Sequence, residues 1–196
     1  MNRLTSVLTH PLPESVTVDG VEIPIRTDYR AGILFDELAK DESLDDLSRM
    51  QLGLWLFCGD TLPEVDKGKL FAASLAFYRG EISCDAVKKP SCTEGKAADI
   101  FDFVWDGNQI YAAFRQVYHI DLTEVQLHWW KFIALLTALP KECAFMRTTA
   151  LRCTDLRDIK DEELRRKIRH AKASVRIRRK QNVPKEKEES TWQTAP

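Results

Sequence analysis

Two short segments near the start of the chain alternate apolar and polar positions, which is the period of a half-buried β-strand. They are SVTV at 15–18 and VEIPI at 21–25, and Asp19 and Gly20 lie between them. This dipeptide accepts the positive φ angles of a type I′ turn, so the pattern predicts a β-hairpin over residues 15–25. Because Pro24 has no N–H to donate, its strand is expected at an edge, and a lone hairpin must pack on another element.

From Tyr29 onward the apolar period lengthens to that of an α-helix. The spacing predicts helices over residues 29–40, about 43–58 and about 66–79, with Ser43 as an N-cap and with Gly59 and Gly80 at helix ends. Several apolar residues of these helices are expected to face the protein core: Ile33, Leu34, Leu38, Leu47, Met50, Leu54, Phe57, Leu70, Ala73 and Phe77.

The second half of the chain contains the two most strongly periodic helical segments. Residues 81–96 lack this periodicity and are predicted to form a surface loop. Helices are then predicted over residues 100–118 and 122–139, joined by three residues as a tight antiparallel pair. The apolar stripe of the first helix is Ile100, Phe103, Gly107, Ile110, Phe114 and Val117, widened by Val104, Trp105, Tyr111 and Tyr118, and that of the second is Leu122, Val125, Trp129, Phe132, Leu136 and Leu139.

A shorter helix is predicted over residues 141–151 and a last one over about 161–180. The apolar stripe of the last helix is narrow and consists of Leu164, Ile168, Ala171 and Val175. The sequence therefore predicts a mainly α fold: an antiparallel domain of about six helices with an N-terminal β-hairpin, spanning residues 1–163. A basic C-terminal helix (164–180) and a disordered tail (181–196) are expected to follow it.

The overall charge is nearly balanced, with 29 Lys and Arg against 30 Asp and Glu among 196 residues. Its distribution is uneven, since residues 1–163 have a net charge of −9 and residues 164–180 have nine cations and no acid. The sequence thus describes an acidic body with a basic arm. Six arginines of this arm are candidate partner-binding residues: Arg165, Arg166, Arg169, Arg176, Arg178 and Arg179. The arm binds nucleic acid, docks on an acidic protein surface, or is a solvated helix face.

Two clusters of ionisable residues are candidate chemical sites. Asp99, Asp102 and Asp106 would converge on one helix as a Mg²⁺ or acid–base site, or would only complement the helix dipole and line a polar face. His119 and His128 are a candidate acid–base or ligand pair, since imidazole in general titrates near neutrality, but more than two helical turns would separate them. We favour structural roles for both clusters: a loop position for His119, and a partly buried hydrogen-bonding position beside Trp129 for His128.

No nucleophile elbow or phosphate-binding glycine loop is present, so we predict a protein that is not an enzyme and has no cofactor or metal. The five cysteines have no CxxC spacing and are expected to be free thiols. No apolar run is long enough to cross a bilayer and no secretory signal is present, so no membrane association and a cytoplasmic location are expected.

Several segments resemble a family of small bacteriophage proteins, the phage "gp fifteen" family of Gram-positive phages and prophages. The most specific block is LHWWKFIALL at 127–136, preceded by IYAAFRQVYHIDL at 110–122. Residues 12–16 (LPESV), 23–30 (IPIRTDYR) and 155–161 (DLRDIKD) are similar to further parts of that family. The resemblance covers about residues 10–172, and the 81–96 loop and the tail bearing Trp192 fall outside it.

The resemblance implies a gene in the long-tail morphogenesis cluster and a function like that of a tail assembly chaperone. Such a protein binds the helix-rich tape-measure protein, and the tail-tube protein is a further candidate partner. It would act in the host bacterial cytoplasm and be absent from the mature virion. A homo-oligomer is a further expectation. The alternative is a nucleic-acid-binding or head–tail morphogenesis factor that uses the basic helix.

A chaperone for amphipathic helices needs an apolar groove with polar rims. The aromatic residues of the two periodic helices are candidates for it, namely Tyr111, Phe114, Trp129 and Trp130. Adjacent residues on a helix point about 100° apart. With Trp129 in the core, Trp130 is therefore either an exposed interface anchor or a residue packed under the hairpin.

Overall fold

The computed structural model describes residues 11–60, 62–80 and 100–178. The predicted loop over 81–96, with Cys84 and Cys92, and the predicted tail over 181–196 lie outside the described residues. So do Asp99 and Arg179.

The hairpin forms where the alternation predicts it. Strand β1 (Ser15–Val18) pairs antiparallel with β2 (Val21–Pro24), and Val18 lies opposite Val21. Asp19 and Gly20 have φ angles of 50° and 84°, as a type I′ turn requires. In this two-stranded sheet Pro24 lies at an edge, and β1 packs on the third helix described below.

Three helices follow, and each begins at an aspartate. They are α1 (Tyr29–Lys40), α2 (Asp46–Cys58) and α3 (Lys67–Arg79). The carboxylates of Asp28, Asp45 and Asp66 accept the first orphan N–H groups of these helices. The prediction that Ser43 caps the second helix is wrong, because the N–H and the hydroxyl of Ser43 both donate to the carboxylate of Asp41. Gly59 and Gly80 follow α2 and α3 with positive φ angles, as predicted.

Four further helices complete the described part. They are α4 (Gly107–Tyr118), α5 (Trp129–Thr137), α6 (Ala144–Cys153) and α7 (Glu162–Ser174), with a short 3-10 helix (Leu156–Asp158) before α7. The described residues thus hold seven α-helices and one hairpin, which confirms the mainly α fold with an N-terminal hairpin. The last helix ends at Ser174, six residues before the predicted end.

The helix predicted from residue 100 begins only at Gly107. Before it the chain forms turns, because Asp102 accepts the N–H groups of Val104 and Trp105. Asp106 is buried, and its carboxylate accepts the N–H of Asp102 and the guanidinium of Arg152. These acids therefore do not share a polar helix face, since they fix an irregular segment before the helix.

The helix predicted from residue 122 begins only at Trp129. The Nη2 atom of Arg30 donates to the carbonyls of Leu122 and Val125, at 2.8 and 3.2 Å, so these groups do not join a helical ladder. A ten-residue connection over 119–128 replaces the predicted three-residue turn.

The predicted tight antiparallel pairing of α4 and α5 is also wrong. Backbone packing joins α5 to α1 and α4 to α6 instead. Helices α4 and α5 meet through their side chains, as where the rings of Phe114 and Phe132 stack with centroids 5.3 Å apart.

Helices α1 and α5 begin side by side. The N–H of Tyr29 donates to the carbonyl of Leu127, and the N–H of Trp129 donates to the carbonyl of Thr27. Gly32 lies directly against the indole of Trp129, where an added Cβ would be 2.3 Å from the ring. This close approach turns the Gly32 side of α1 toward α5, so the axes of the two helices come close together.

The core is rich in aromatic rings, and a smaller cluster of Val18, Ile23, Leu54 and Leu70 joins the hairpin to α2 and α3. Five predicted core positions are exposed instead: Leu34, Leu47, Val104, Trp105 and Tyr111. Leu34 is exposed because α1 buries Tyr29, Gly32 and Phe35. Val104 and Trp105 are exposed because their segment is a turn, in which the helical stripe does not exist.

Candidate partner-binding cleft

A cleft of about 420 Å³ lies between α1, α4 and the connection over 119–128. Its volume is in the range of ligand-binding clefts, roughly 300–1,000 Å³. Most of its wall is aliphatic or aromatic, and the lining residues are Tyr29, Arg30, Ile33, Phe103, Gly107, Ile110, Tyr111, Leu122, Thr123 and Phe132. Such a wall favours the binding of apolar side chains.

Polar contacts at the edge fix the shape of the cleft. The guanidinium of Arg30 lies over the ring of Tyr29, at 4.8 Å from the ring centroid. It also donates to main-chain carbonyls of the connection and so fixes the position of that segment. The Tyr29 hydroxyl donates to the carbonyl of Leu122 at 2.5 Å. Across the cleft, the Tyr111 hydroxyl donates to the carboxylate of Asp121 at 3.1 Å. These bonds tie both walls to the connection between them.

The tyrosines of the cleft stay protonated near neutral pH. Burial raises the pKa of Tyr29, and the hydrogen bond to Asp121 raises the pKa of Tyr111. Hydrogen bonds from the hydroxyl and the N–H of Thr123 lower the pKa of Asp121, which stays ionised. The wall is therefore uncharged, while Arg30 and Asp121 place one charge of each sign at its edge.

Exposed apolar side chains adjoin the cleft in sequence. Leu34 follows the lining residue Ile33 on α1, and Val104 and Trp105 follow the lining residue Phe103. Each of the three side chains is about half exposed or more. Exposed large apolar side chains of this kind are typical of interaction surfaces.

The four aromatic residues that were predicted to bind a partner lie in different environments. Tyr111 lines the cleft, whereas Phe114 and Trp129 are core residues with 0% and 4% exposure. The Trp129 Nε1 donates to the carbonyl of Tyr78. Trp130 packs on α3, where its ring stacks on Phe77 and its Nε1 donates to the carbonyl of the same residue. That these four residues bind a partner remains a prediction.

The cleft residues of α1 and of the connection were not among the sequence candidates. Arg30 and Thr123 are more than ninety positions apart in sequence. No local pattern links them, because the connection was expected to be helical. The segment around residue 30 is one of those that resemble the phage family. That resemblance was the only feature of the sequence that drew attention to this part of α1.

The arginines of the basic arm fall into two groups. Arg165 faces inward, pairs with Glu162 and donates to the carbonyl of Ile159. Arg166 and Arg169 are exposed on α7, and Arg176 and Arg178 are exposed after its end. The helix is attached to the body, because Lys172 donates to the carbonyl of Thr154 and Arg152 donates to that of Val175.

The candidate chemical clusters have structural roles where they are described. In residues 11–60, 62–80 and 100–178, no group of three or more His, Cys, Asp or Glu is placed to hold a metal ion. His128 caps α5, its Nδ1 accepting the N–H of Trp130, and its Nε2 lies 3.1 Å from the carbonyl oxygen of Pro13. His119 ends α4 with a φ of 57°.

Cys58 and Cys143 are free thiols. Among the described residues, no helix has the length and apolar character needed to cross a membrane.

A protein-family model described as "Bacteriophage Gp15 protein" matches residues 8–177. The chain belongs to this family. The match extends over the hairpin and all seven described helices, and so includes the cleft and α7. This Gp15-family membership confirms the resemblance seen in the sequence and identifies a bacteriophage protein related to morphogenesis. No curated protein and no solved structure matches the chain.

Proposed function

We propose that this Gp15-family chain is a phage tail assembly chaperone that binds the tape-measure protein during long-tail morphogenesis. It acts in the host cytoplasm, without catalysis, and leaves before the virion is complete. The observation that carries the proposal is the apolar cleft lined by Tyr111, in a chain of this phage family that also exposes large apolar side chains to water.

The cleft suits one face of an amphipathic helix. Such helices insert apolar anchors at i, i+3 or i+4 spacing into a groove and keep their polar face in water. The wall offers Ile33 and Tyr111 to an apolar anchor, because both side chains line the cleft and keep accessible surface. A helix-rich client that aggregates through its apolar stripes would be kept in solution by covering them.

The charged edge gives the contact an orientation. Arg30 and Asp121 carry opposite charges at the cleft, so a client helix with an acid and a base beside its anchors fits in one direction better than in the other.

Co-expression tests this function. The tape-measure protein of the same phage is produced with and without the full-length chain, and its soluble fraction and elution on a sizing column are measured. We expect a higher soluble fraction and a co-eluting complex. An unrelated, aggregating coiled-coil protein of similar length is the control and should gain no solubility. An unchanged soluble fraction without a complex contradicts the proposal.

A further inference from the structure

The outer face of α7 carries cations that no described acid neutralises. Arg166 and Arg169 lie on that face, and Arg176 and Arg178 continue it, all exposed and without an ion pair in the described part of the chain. The inward cations differ, since Arg165 and Lys172 donate to main-chain carbonyls. The outer arginines are therefore not needed to hold the helix in place.

Helix α2 presents an outer face of the opposite charge. Three large apolar side chains on this face are exposed to water: Leu47 by 59%, Leu52 by 43% and Trp55 by 47%. At 100° per residue they fall within one arc of α2. Exposed acids lie at or just beyond both ends of the helix, namely Glu42, Asp45, Asp46 and Asp60, of which Asp46 also pairs with Arg49. We call this the α2 face.

The charges decide which partner covers the α2 face. Two α2 faces placed against each other would bring like charges together, which opposes a symmetric contact through α2. A partner must therefore supply cations together with some apolar surface. The ring of Trp55 already accepts one guanidinium, since Arg26 lies 5.7 Å from its centroid.

The outer face of α7 has this composition. Its arginines match the acids, and the aliphatic stems of Arg166 and Arg169, with the exposed Ala173 between them on the same side of the helix, supply apolar surface. Within one chain α7 is held on α6 through the bonds of Arg152 and Lys172, so its outer face is available to another molecule.

We propose that the outer face of α7 in one copy of this chain binds the α2 face of a second copy. Such a contact is head-to-tail, because each copy uses a different surface on each side. Repeated contacts of this kind close into a ring or extend as a filament. The proposal does not rest on binding of the tape-measure protein.

The contact is expected to be weak and sensitive to salt. Exposed ion pairs contribute little individually and are screened within about 8 Å at physiological ionic strength. Larger species are therefore expected at low salt and high protein concentration, and their fraction should fall as salt is added. The measurement is the mass distribution of the full-length chain by analytical ultracentrifugation.

Two charge-reversed variants test the pairing of the faces. One carries Arg166→Glu, Arg169→Glu, Arg176→Glu and Arg178→Glu on the α7 face, and the other carries Glu42→Lys, Asp46→Lys and Asp60→Lys on the α2 face. Asp45 is left unchanged because it caps α2. Each variant alone should be monomeric at low salt, since both of its faces then carry the same charge. An equimolar mixture should associate again, because each altered face meets a complementary one.

The control variant carries Lys131→Glu and Lys141→Glu, which reverses two exposed cations outside both faces and should associate like the unaltered chain. A monomeric unaltered chain at low salt overturns the proposal, as does a mixture that stays monomeric. A third outcome also overturns the proposal. In it, the α7 variant has the same mass distribution as the unaltered chain but no longer binds a labelled DNA duplex, which would show that the α7 face binds nucleic acid.

Discussion

The guanidinium of Arg152 donates two hydrogen bonds to the carboxylate of Asp106, at 2.6 and 2.8 Å, and both side chains are buried. The same guanidinium donates to the carbonyls of Ile100 and Val175. One side chain on α6 thereby holds the segment before α4, which forms one wall of the cleft, and the segment after α7. We therefore regard this ion pair as the link between the cleft and the C-terminal helix.

Removing one partner of this pair should destabilise the fold strongly. Asp106→Asn or Arg152→Met leaves a buried charge without its counter-charge, which typically costs about 3–5 kcal/mol. The measurement is the free energy of unfolding from urea denaturation. The matched control is Lys167→Ala, which removes the exposed pair with Glu163 and should leave the unfolding midpoint almost unchanged. Equal midpoints for Arg152→Met and the control would show that the buried pair does not stabilise the fold.

Gly32→Ala should destabilise the contact between α1 and α5. The added Cβ would lie 2.3 Å from the ring of Trp129, so the helices must move apart, and overpacking of this kind costs about 1–3 kcal/mol. Thermal unfolding measures the change. Gly107→Ala is the control, because no atom lies within 4 Å of an added Cβ there and alanine favours a helix. A Gly32→Ala protein as stable as the control would contradict the close packing.

The stability of the fold should depend on His128 between about pH 7 and pH 5. Burial lowers the pKa of His128 below its ordinary value of 6.5, and its Nδ1 must be unprotonated to accept the N–H of Trp130. The unfolded chain therefore binds a proton at His128 more readily than the folded chain does. The stabilisation that depends on neutral His128 is complete above about pH 6.5. It is lost as the pH falls toward the lower pKa of the folded state.

Replacement of this histidine isolates its contribution. His128→Asn keeps an N-cap side chain without a titrating group, so its melting temperature should fall less than that of the unaltered chain from pH 7 to pH 5. His119→Asn is the matched control, because asparagine tolerates the left-handed conformation at that exposed helix end. Identical pH dependence of the His128→Asn and unaltered proteins would contradict the assigned role.

Local signals predicted the N-terminal half well. Asp19 and Gly20 specify the hairpin turn, and the limits of α1 agree with the periodicity. Prediction failed where distant side chains compete for the backbone. Arg30 binds carbonyls more than ninety residues away, and Arg152 holds Asp106 across 46 positions, so two periodic segments are partly irregular. An apolar period cannot reveal such contacts.

The candidate site was predictable only in part. Tyr111 was a sequence candidate and lies on the cleft, but Phe114 and Trp129 are buried in the core. Large aromatic residues on an amphipathic stripe face the core in most proteins, and the sequence does not show which one remains at the surface. The cleft itself arises from the irregular connection over 119–128, which the helical pattern concealed.

Blocking the cleft tests the central claim most directly. Gly107 lines the cleft, and an added Cβ there meets no atom within 4 Å, so Gly107→Leu introduces a large apolar side chain at the edge of the cleft. The exposed neighbour Asn108 is outside the lining, and Asn108→Leu is the matched control.

The measurement is the affinity of each purified variant for the tape-measure protein of the same phage. Excluding one large apolar anchor costs about 1.5–3 kcal/mol, so Gly107→Leu should bind about ten- to a hundredfold more weakly. Asn108→Leu should bind like the unaltered chain. Equal affinities for the Gly107→Leu, Asn108→Leu and unaltered proteins would contradict the account.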